Sequence, residues 1–180
     1  IFSQVYAHKP VLNDNSTYPA DAPYEIEDPE ISKAIYSTLI GDPHFYRIQS
    51  EVDFDFYAGI LAAKIGECPL NSKFSFEVLD SDFHKIYLAD GENFEWTPWY
   101  EEYGKQWYWN GPEIGKDFYS NEVFKAGTYY IKVFNNSNTG QYIMAVGDIE
   151  KFSITDIVGL IFSMGKIEDE FWDTSKCTSA

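Results

Sequence analysis

The fold of this chain is indicated most clearly by two neighbouring stretches, FKAGTYYIKVF at residues 124–134 and GQYIMAVG at residues 140–147. Side chains alternate between the two faces of a strand, so Tyr129 and Ile131 share one face, while Tyr130 and Lys132 share the other. A glycine ahead of these residues permits the turn that leads into the strand. The pattern is typical of a β-sheet rather than of a catalytic loop.

Further runs of aromatic and β-branched residues predict more strands. They lie at residues 45–49, 54–61, 74–79, 85–88, 129–134 and 141–146, and turn residues such as GDP, LNS, DGE, AGT and NTG separate them. Short strands at this spacing, without helical patterns between them, favour a mostly β fold built as an antiparallel sandwich.

The two ends of the chain have a different character. Four prolines spread over the first 33 residues predict an extended N-terminal arm that adds an edge to the domain. Near the other end, the capping-box pattern SITD at 153–156 begins a segment with apolar residues at helical spacing. These apolar residues are Ile154, Ile157, Val158, Ile161 and Met164. We therefore expect an arm at 1–33, a sandwich domain at 34–150, and a C-terminal amphipathic helix and tail at 151–180, with the helix across one end of the sandwich.

The charge balance excludes several classes of function. The 180 residues include 13 Lys and Arg against 29 Asp and Glu, a net charge of −16, and Arg47 is the single arginine. Surfaces that bind nucleic acid or anionic membranes concentrate cations that this chain lacks. A hydrophobic content of 44%, with 14 Tyr, 14 Phe and 5 Trp, argues against disorder. The longest apolar run, 157–164, is too short to span a bilayer.

Three stretches of sequence identify a family more specifically than composition does. They are residues 124–147, HFYRI at 44–48, and DFDFY at 53–57. They resemble the final hairpin and the opening strands of the secreted bacterial pre-peptidase C-terminal domains. HKP at 8–10 and PEIS at 29–32 also resemble segments of extracytoplasmic proteins of unknown role. The resemblance covers about residues 43–148 and departs from the family pattern over 90–117. It implies a jelly-roll-like sandwich without activity of its own, serving in binding, secretion or attachment.

Several features are typical of an exported chain. The VYA segment at residues 5–7 has small residues where a secretory peptidase prefers them; the alternative is an ordinary N-terminal strand. The two cysteines, Cys68 and Cys177, either form one disulfide that ties the tail to the body or remain buried thiols. N-x-S/T acceptors at Asn15 and Asn135 fit a surface or secreted chain. We therefore expect a secreted or cell-surface protein.

An aromatic and acidic stretch at residues 94–109 is the candidate contact surface. Rings flanked by carboxylates suit a sugar platform, because the C–H faces of sugars stack on rings while hydroxyls bond to acidic oxygens. Such rings equally suit a protein interface, or a lid over one end of the core. The candidate contact residues are Trp96, Trp99, Tyr100, Tyr103, Trp107 and Trp109.

Carboxylates near predicted strand ends suggest calcium, which takes about six to eight oxygen ligands from several segments. The candidate ligands are Asp53, Asp55, Asp80 and Asp82. The alternative is that these charges only keep an aromatic-rich protein soluble. Copper is a further hypothesis: if cleavage made His8 the first residue, its amine and imidazole would chelate the metal with His44 or His84.

Motifs for catalysis are absent from the sequence, including G-x-S-x-G, H-E-x-x-H, the P-loop and the dinucleotide fingerprint. We therefore expect a non-catalytic protein that binds itself or another surface protein. One form is a fibre subunit whose N-terminal strand inserts at the edge of a neighbouring subunit. The alternatives are a glycan-binding module that uses residues 94–109 and a copper-binding protein with His8 at its terminus.

Overall fold

The computed structural model describes residues 9–13, 16–102, 104–151 and 164–177. Within these residues the chain forms thirteen strands, a helix α1 (164–171) and a 3-10 turn at Thr174–Lys176. The strands are β1 (Lys9–Leu12), β2 (Tyr24–Ile26), β3 (Lys33–Ile40), β4 (His44–Ser50), β5 (Phe54–Phe56), β6 (Ala58–Ala63), β7 (Ser75–Leu79), β8 (Lys85–Ala89), β9 (Thr97–Glu101), β10 (Gln106–Ile114), β11 (Glu122–Phe124), β12 (Gly127–Phe134) and β13 (Thr139–Val146).

Two large sheets face each other. Sheet A has the order β1-β3-β13-β6-β10-β9, and sheet B has the order β2-β4-β12-β7-β8. β5 and β11 form a separate two-stranded ribbon. Neighbouring strands are antiparallel, except that β1 runs parallel to β3 and β2 runs parallel to β4. The predicted mostly β sandwich is therefore confirmed, with two parallel edge strands that the sequence did not predict.

The main core lies between the sheets, where inward side chains of both exclude water. Its largest members include Ile35 and Tyr142 from sheet A, and Tyr46, Phe76 and Ile131 from sheet B. The predicted run 54–61 divides at Tyr57 into β5 and β6, because the first half pairs with β11 and the second half with β10 and β13.

The two stretches that indicate the fold do not pair as a hairpin. β12 pairs with β4 and β7 in sheet B, whereas β13 pairs with β3 and β6 in sheet A. The connection crosses from one sheet to the other, and Asn135 Oδ1 accepts hydrogen bonds there from the N–H groups of Ser137 and Thr139. The hairpin expected from the resemblance is corrected to an arch, since both strands bury apolar side chains in the same core from opposite sides.

The proline-rich arm supplies one edge strand to each sheet. β1 pairs with β3 through four residue pairs, from Lys9–Lys33 to Leu12–Tyr36, and β2 pairs with β4 through three. Asn13 follows β1 and donates from Nδ2 to the Ser37 hydroxyl at 2.7 Å. The arm therefore covers one lateral side of the sandwich, and β8 and β9 end the two sheets on the other side.

Helix α1 covers the outer face of sheet A. Its buried residues Ile167 and Phe171 pack against residues of four strands, namely Tyr36, Leu61, Tyr108 and Ile143. The expected position across one end of the sandwich is wrong, because the apolar outer face of sheet A requires a cover. The capping pattern at 153–156 and the apolar positions from 154 to 161 lie outside the described residues. No helix in the described part of the chain has the length and apolar character needed to cross a membrane.

A disulfide holds the end of this helical segment to the sandwich. Cys68, in the loop after β6, is bonded to Cys177 across a Cα–Cα distance of 5.9 Å. Lys176 adds to the same attachment, since its Nζ donates to Oε1 of Gln141 on β13 at 3.4 Å. Of the two alternatives that the sequence left open for the cysteines, the disulfide is the one observed.

A network of hydrogen-bonded polar side chains crosses the main core. The Tyr142 hydroxyl of β13 lies 2.6 Å from the Tyr46 hydroxyl and 2.8 Å from His44 Nδ1, both on β4. The Ser37 hydroxyl of β3 lies 3.2 Å from the same nitrogen. His44 is 1% exposed, and among the described residues no partner reaches its Nε2. Burial lowers the pKa of His44 to about 4, because the charged imidazolium would lose its hydration.

We predict that removing the disulfide, by Cys68→Ser together with Cys177→Ser, lowers the free energy of unfolding by about 5 kcal/mol. The chain-entropy model gives this value for a closed loop of roughly 100 residues. Chemical denaturation of the parent and the variant measures the difference. The reduced parent serves as the control and should match the variant, and equal midpoints for all three samples would contradict the prediction.

We also predict that the protein loses stability as the pH falls from about 6.5 to about 4. Folded His44 has a pKa of about 4 against an ordinary value of 6.5, so the unfolded chain takes up its proton first and acid favours unfolding. This group alone contributes about 3 kcal/mol above pH 6.5 that is fully lost below pH 4. Denaturation of the parent and of His44→Gln across this range tests the effect, since the carboxylates titrate in both. Parallel curves of stability against pH would rule it out.

Candidate interaction surface

The aromatic stretch 94–109 contains the β9–β10 hairpin at the edge of sheet A. Its register places Trp107 opposite Tyr100, Tyr108 opposite Trp99, and Trp109 opposite Pro98. Because side chains alternate along each strand, Trp107 and Trp109 point to one face of the hairpin and Tyr108 to the other. The segment 90–117, where the sequence departs from the family pattern, therefore contributes two strands, β9 and β10, to sheet A.

Three of the predicted contact residues pack within the protein. Trp96 is buried, donates from Nε1 to the carbonyl oxygen of Gly91 at 2.8 Å, and covers Gly111, where a Cβ atom would lie 2.4 Å from the indole. Trp99 contacts Tyr108 on the helix-covered side of sheet A, and half-buried Trp109 packs against the main core. The assignment of Trp96 as a contact residue is therefore corrected, because its ring fills the core. Tyr103 lies outside the described residues.

Tyr100 and Trp107 form the exposed part of the hairpin. Their side chains are 40% and 48% exposed, and their ring centroids are 5.1 Å apart. Lys64 lies beside them, with Nζ 6.0 Å from the Trp107 ring and 5.6 Å from the Trp109 ring. Trp172 donates from Nε1 to the carbonyl oxygen of Trp107 at 2.9 Å, which fixes the strand beneath the pair. This arrangement is a small aromatic platform of two rings tilted by 50° to each other, with one adjacent cation.

Exposed apolar side chains continue along the neighbouring edge of sheet B. Ile86 and Leu88 of β8 are 42% and 48% exposed, and Phe83 precedes them in the β7–β8 turn. The sequence predicted a strand at 85–88, but it contained no sign that this strand ends a sheet. Whether a strand lies at the edge of a sheet depends on which strands pair with each other, and this cannot be read from the local sequence.

The β7–β8 turn holds Phe83 in an unusual conformation. Its φ of +61° lies in the left-handed region, which is costly for a large side chain. Asp80 stabilises the turn, since Oδ1 accepts from the N–H groups of Asp82 and His84, both at 2.9 Å. The Phe83 ring stacks on Tyr130 at 4.4 Å. Packing and turn geometry together keep this ring on the outer face of sheet B.

The four carboxylates predicted to bind calcium fall into two groups. Asp80 and Asp82 lie in the β7–β8 turn with His84, where one ligand atom from each lies within 4.8 Å of the others. Asp53 instead accepts from Lys125 Nζ at 2.8 Å and from the N–H of Ala126. Asp55 occupies an exposed position on the β5–β11 ribbon. Calcium binding by these residues stays a prediction.

The charges of these groups follow from their contacts. The hydrogen bond from Lys125 lowers the pKa of Asp53, and the backbone N–H of His84 lowers the pKa of Asp80. Both carboxylates are therefore held in the ionised form at neutral pH.

Of the three histidines proposed for copper, the structure describes His44 and His84. His8 lies outside the described residues. His44 is in the core with Nδ1 against Tyr142, so it is not placed to complete a surface copper site. His84 is exposed in the β7–β8 turn, 3.5 Å from Asp80.

The glycosylation acceptor Asn135 differs from a simple surface site. Asn135 is buried in the β12–β13 arch, and its Nδ2 donates to the carbonyl oxygen of Thr139 at 2.8 Å. The nitrogen that a glycan would modify is therefore already used by the fold. Asn15 lies outside the described residues.

Comparison with known proteins gives a structural likeness but no family match. No protein-family model matches the sequence, and a search of curated proteins finds no match. A search of solved structures finds the pre-peptidase C-terminal domain of a collagenase from Bacillus anthracis, determined at 1.0 Å. The match has a TM-score of 0.41 and 14% sequence identity, and it covers 74% of this chain and 98% of that domain. The chain is thus similar to a domain of the kind that the sequence resemblance named.

Proposed function

We propose that this protein is a non-catalytic, extracytoplasmic β-sandwich that acts by self-association, as a fibre subunit joined through its N-terminal arm. The observation that carries the proposal is the arm itself, which already serves as a source of edge strands for both sheets. A segment that adds a strand to its own sheet has the geometry to add the same strand to the sheet of a neighbour.

The β1 strand is suited to exchange between copies. It is attached to sheet A through β3 alone in the described structure, and its four residues are half-buried rather than enclosed. Val11 and Leu12 contact the two apolar clusters on opposite faces of sheet A. If β1 paired with β3 of another copy, these contacts would be made again in the same form, so the exchange would link two chains without losing packing.

The disulfide supports the extracytoplasmic part of the proposal. Disulfides persist in oxidising compartments and are rare where thioredoxin and glutathione keep thiols reduced. The Cys68–Cys177 bond attaches the helix that covers sheet A, so its persistence matters for the fold. An acidic chain with a net charge of −16 also remains soluble until a specific contact forms.

We predict that deleting residues 1–12 abolishes assembly and leaves a folded domain, because, of residues 9–12 that the structure describes, Val11 is the one that packs against the main core. Light scattering measures the assembly, and circular dichroism measures the fold. A mixing experiment gives the sharper result: the truncated chain keeps the acceptor edge and lacks the donor strand, so it should shorten fibres of the full chain. Assembly of the truncated chain at normal efficiency would disprove strand donation.

A second candidate function is glycan binding, favoured by the exposed Tyr100–Trp107 platform beside Lys64. Sugar C–H faces stack on such rings, and an ammonium group can donate to hydroxyls. This candidate needs no second copy, so it would apply to a monomer.

We predict that, for this candidate, Trp107→Ala weakens retention on insoluble chitin or cellulose by about tenfold, the equivalent of about 1.4 kcal/mol. Val123→Ala is the matched control, because Val123 is 62% exposed on the separate β5–β11 ribbon. Affinity electrophoresis in gels with soluble polysaccharide gives an independent measurement. Equal retention of the parent and Trp107→Ala would remove glycan binding at this platform.

A further inference from the structure

Four strands end the two large sheets of the described structure, and three of them are protected against further pairing. β1 contains Pro10 and β9 contains Pro98, and proline has no N–H to donate to a new neighbour. β2 has only three residues and follows Pro23 directly. Short strands and proline are common means by which proteins prevent edge-to-edge association.

The fourth edge, β8, contains no proline, and its protection is confined to its first residues, where Lys85 is charged and the register with β7 shifts between the pairs Val78–Tyr87 and Leu79–Lys85. Its sequence KIYLA contains neither proline nor a carboxylate, and among the described strands it pairs with β7 alone. Ile86 and Leu88 are both exposed on it, while Tyr87 points inward and packs against the main core. The free edge from Ile86 to Ala89, with two exposed aliphatic side chains, is a surface that another strand can cover.

The sequence of β8 is complementary to itself. Two identical strands that pair antiparallel are related by a two-fold axis, so each contact occurs twice. If the axis passes at Tyr87, Ile86 of one copy lies opposite Leu88 of the second copy, and the register shift of β8 ends the regular ladder before Lys85. The two aliphatic pairs would cover each other, and the two lysines would lie beyond opposite ends of the ladder.

Charge also favours contact at this edge. A chain with a net charge of −16 repels its own copies over most of its surface. On the outer face of sheet B the balance is different, because Glu77 lies 3.5 Å from Lys85 and 3.4 Å from Lys132, and Glu25 lies 2.9 Å from Arg47. Among these ion-paired residues of the strands, three cations exceed two carboxylates, which lowers the local repulsion of a second copy, and Asp80 and Asp82 add acidic charge in the β7–β8 turn.

We propose that β8 pairs antiparallel with β8 of a second copy of this chain across a two-fold axis at Tyr87, which joins the two five-stranded sheets into one continuous sheet. This contact goes beyond the proposed function, since it uses neither the N-terminal arm nor the aromatic platform. It also has a different outcome: a two-fold contact closes after two copies, whereas strand donation continues along a fibre.

Cysteine cross-linking of the full chain tests the geometry. In an equal mixture of Ile86→Cys and Leu88→Cys chains, the new thiols of different copies lie opposite each other. Mild oxidation should therefore give a band of twice the 20.7 kDa chain mass on a non-reducing gel. Either variant alone should give little of this band, and so should Val123→Cys, whose side chain is exposed elsewhere. A band of equal intensity in the mixture and in Val123→Cys, or no band in the mixture, would overturn the proposal.

Charge substitution tests the same pairing through affinity. Ile86→Lys and Leu88→Glu should each abolish the two-copy contact, because each buries an unpaired charge opposite an aliphatic side chain. Mixing the two variants should restore it, since the new lysine and glutamate face each other and the remaining pair is still Leu88 with Ile86. Restoration also shows that both variants are folded. Failure of the mixture to associate while the parent does associate would contradict the β8 register.

Cross-linking at β8 reports on this contact alone. The band therefore appears or fails to appear whether or not residues 1–12 drive assembly. Fibres without the band would leave strand donation intact and remove the β8 contact, and the band without fibres would do the reverse.

Discussion

Sheet A is apolar on both faces, and the rest of the architecture depends on covering both of them. β6 and β13 show this in sequence as nearly continuous apolar runs, AGILAA and YIMAV, instead of alternating ones. Sheet B covers one face and forms the main core. Helix α1 covers the other face with Ile167 and Phe171. The molecule is therefore a three-layer structure, in which the Cys68–Cys177 disulfide secures the outermost layer to the middle one.

The two lateral sides of this structure differ. One is covered by the chain's own N-terminal arm, and the other exposes apolar side chains that are available for interaction. On one side the arm places β1 and β2 against the sheets, so the chain covers its own edges. On the other side β8 and the β9–β10 hairpin end the sheets, with exposed apolar side chains on both. A strongly acidic protein keeps such a surface exposed because long-range repulsion opposes non-specific association. The contacts that remain favourable are those with matching shape and local charge.

The polar network inside the main core constrains how the two sheets are aligned. Tyr46, Tyr142 and His44 connect the two sheets through hydrogen bonds that require one relative position of β4 and β13. Buried hydrogen bonds contribute modest net stability, but leaving one unmade is costly, so such a network specifies a single alignment. The same burial makes the alignment dependent on a neutral imidazole.

The sequence by itself determined the class of the fold and most of its strands. The signals that predicted the strands are local: alternation at 129–134, aromatic and β-branched runs, and turn residues. Local hydrogen bonding and steric preferences are enough to turn such signals into strands and turns. The net charge of −16 likewise argues against nucleic-acid binding without any structure. The division of 54–61 at Tyr57 was missed, since it arises from two different partners for the two halves.

Only the tertiary structure decided which strands are neighbours. It placed β12 and β13 in different sheets, moved α1 onto a sheet face, and put Trp96 in the core while leaving Trp107 at the surface. It also made β8 an edge, although its sequence does not differ in kind from that of a central strand. These outcomes depend on pairings between residues far apart in the chain, and the burial of any one side chain follows from all of those pairings together.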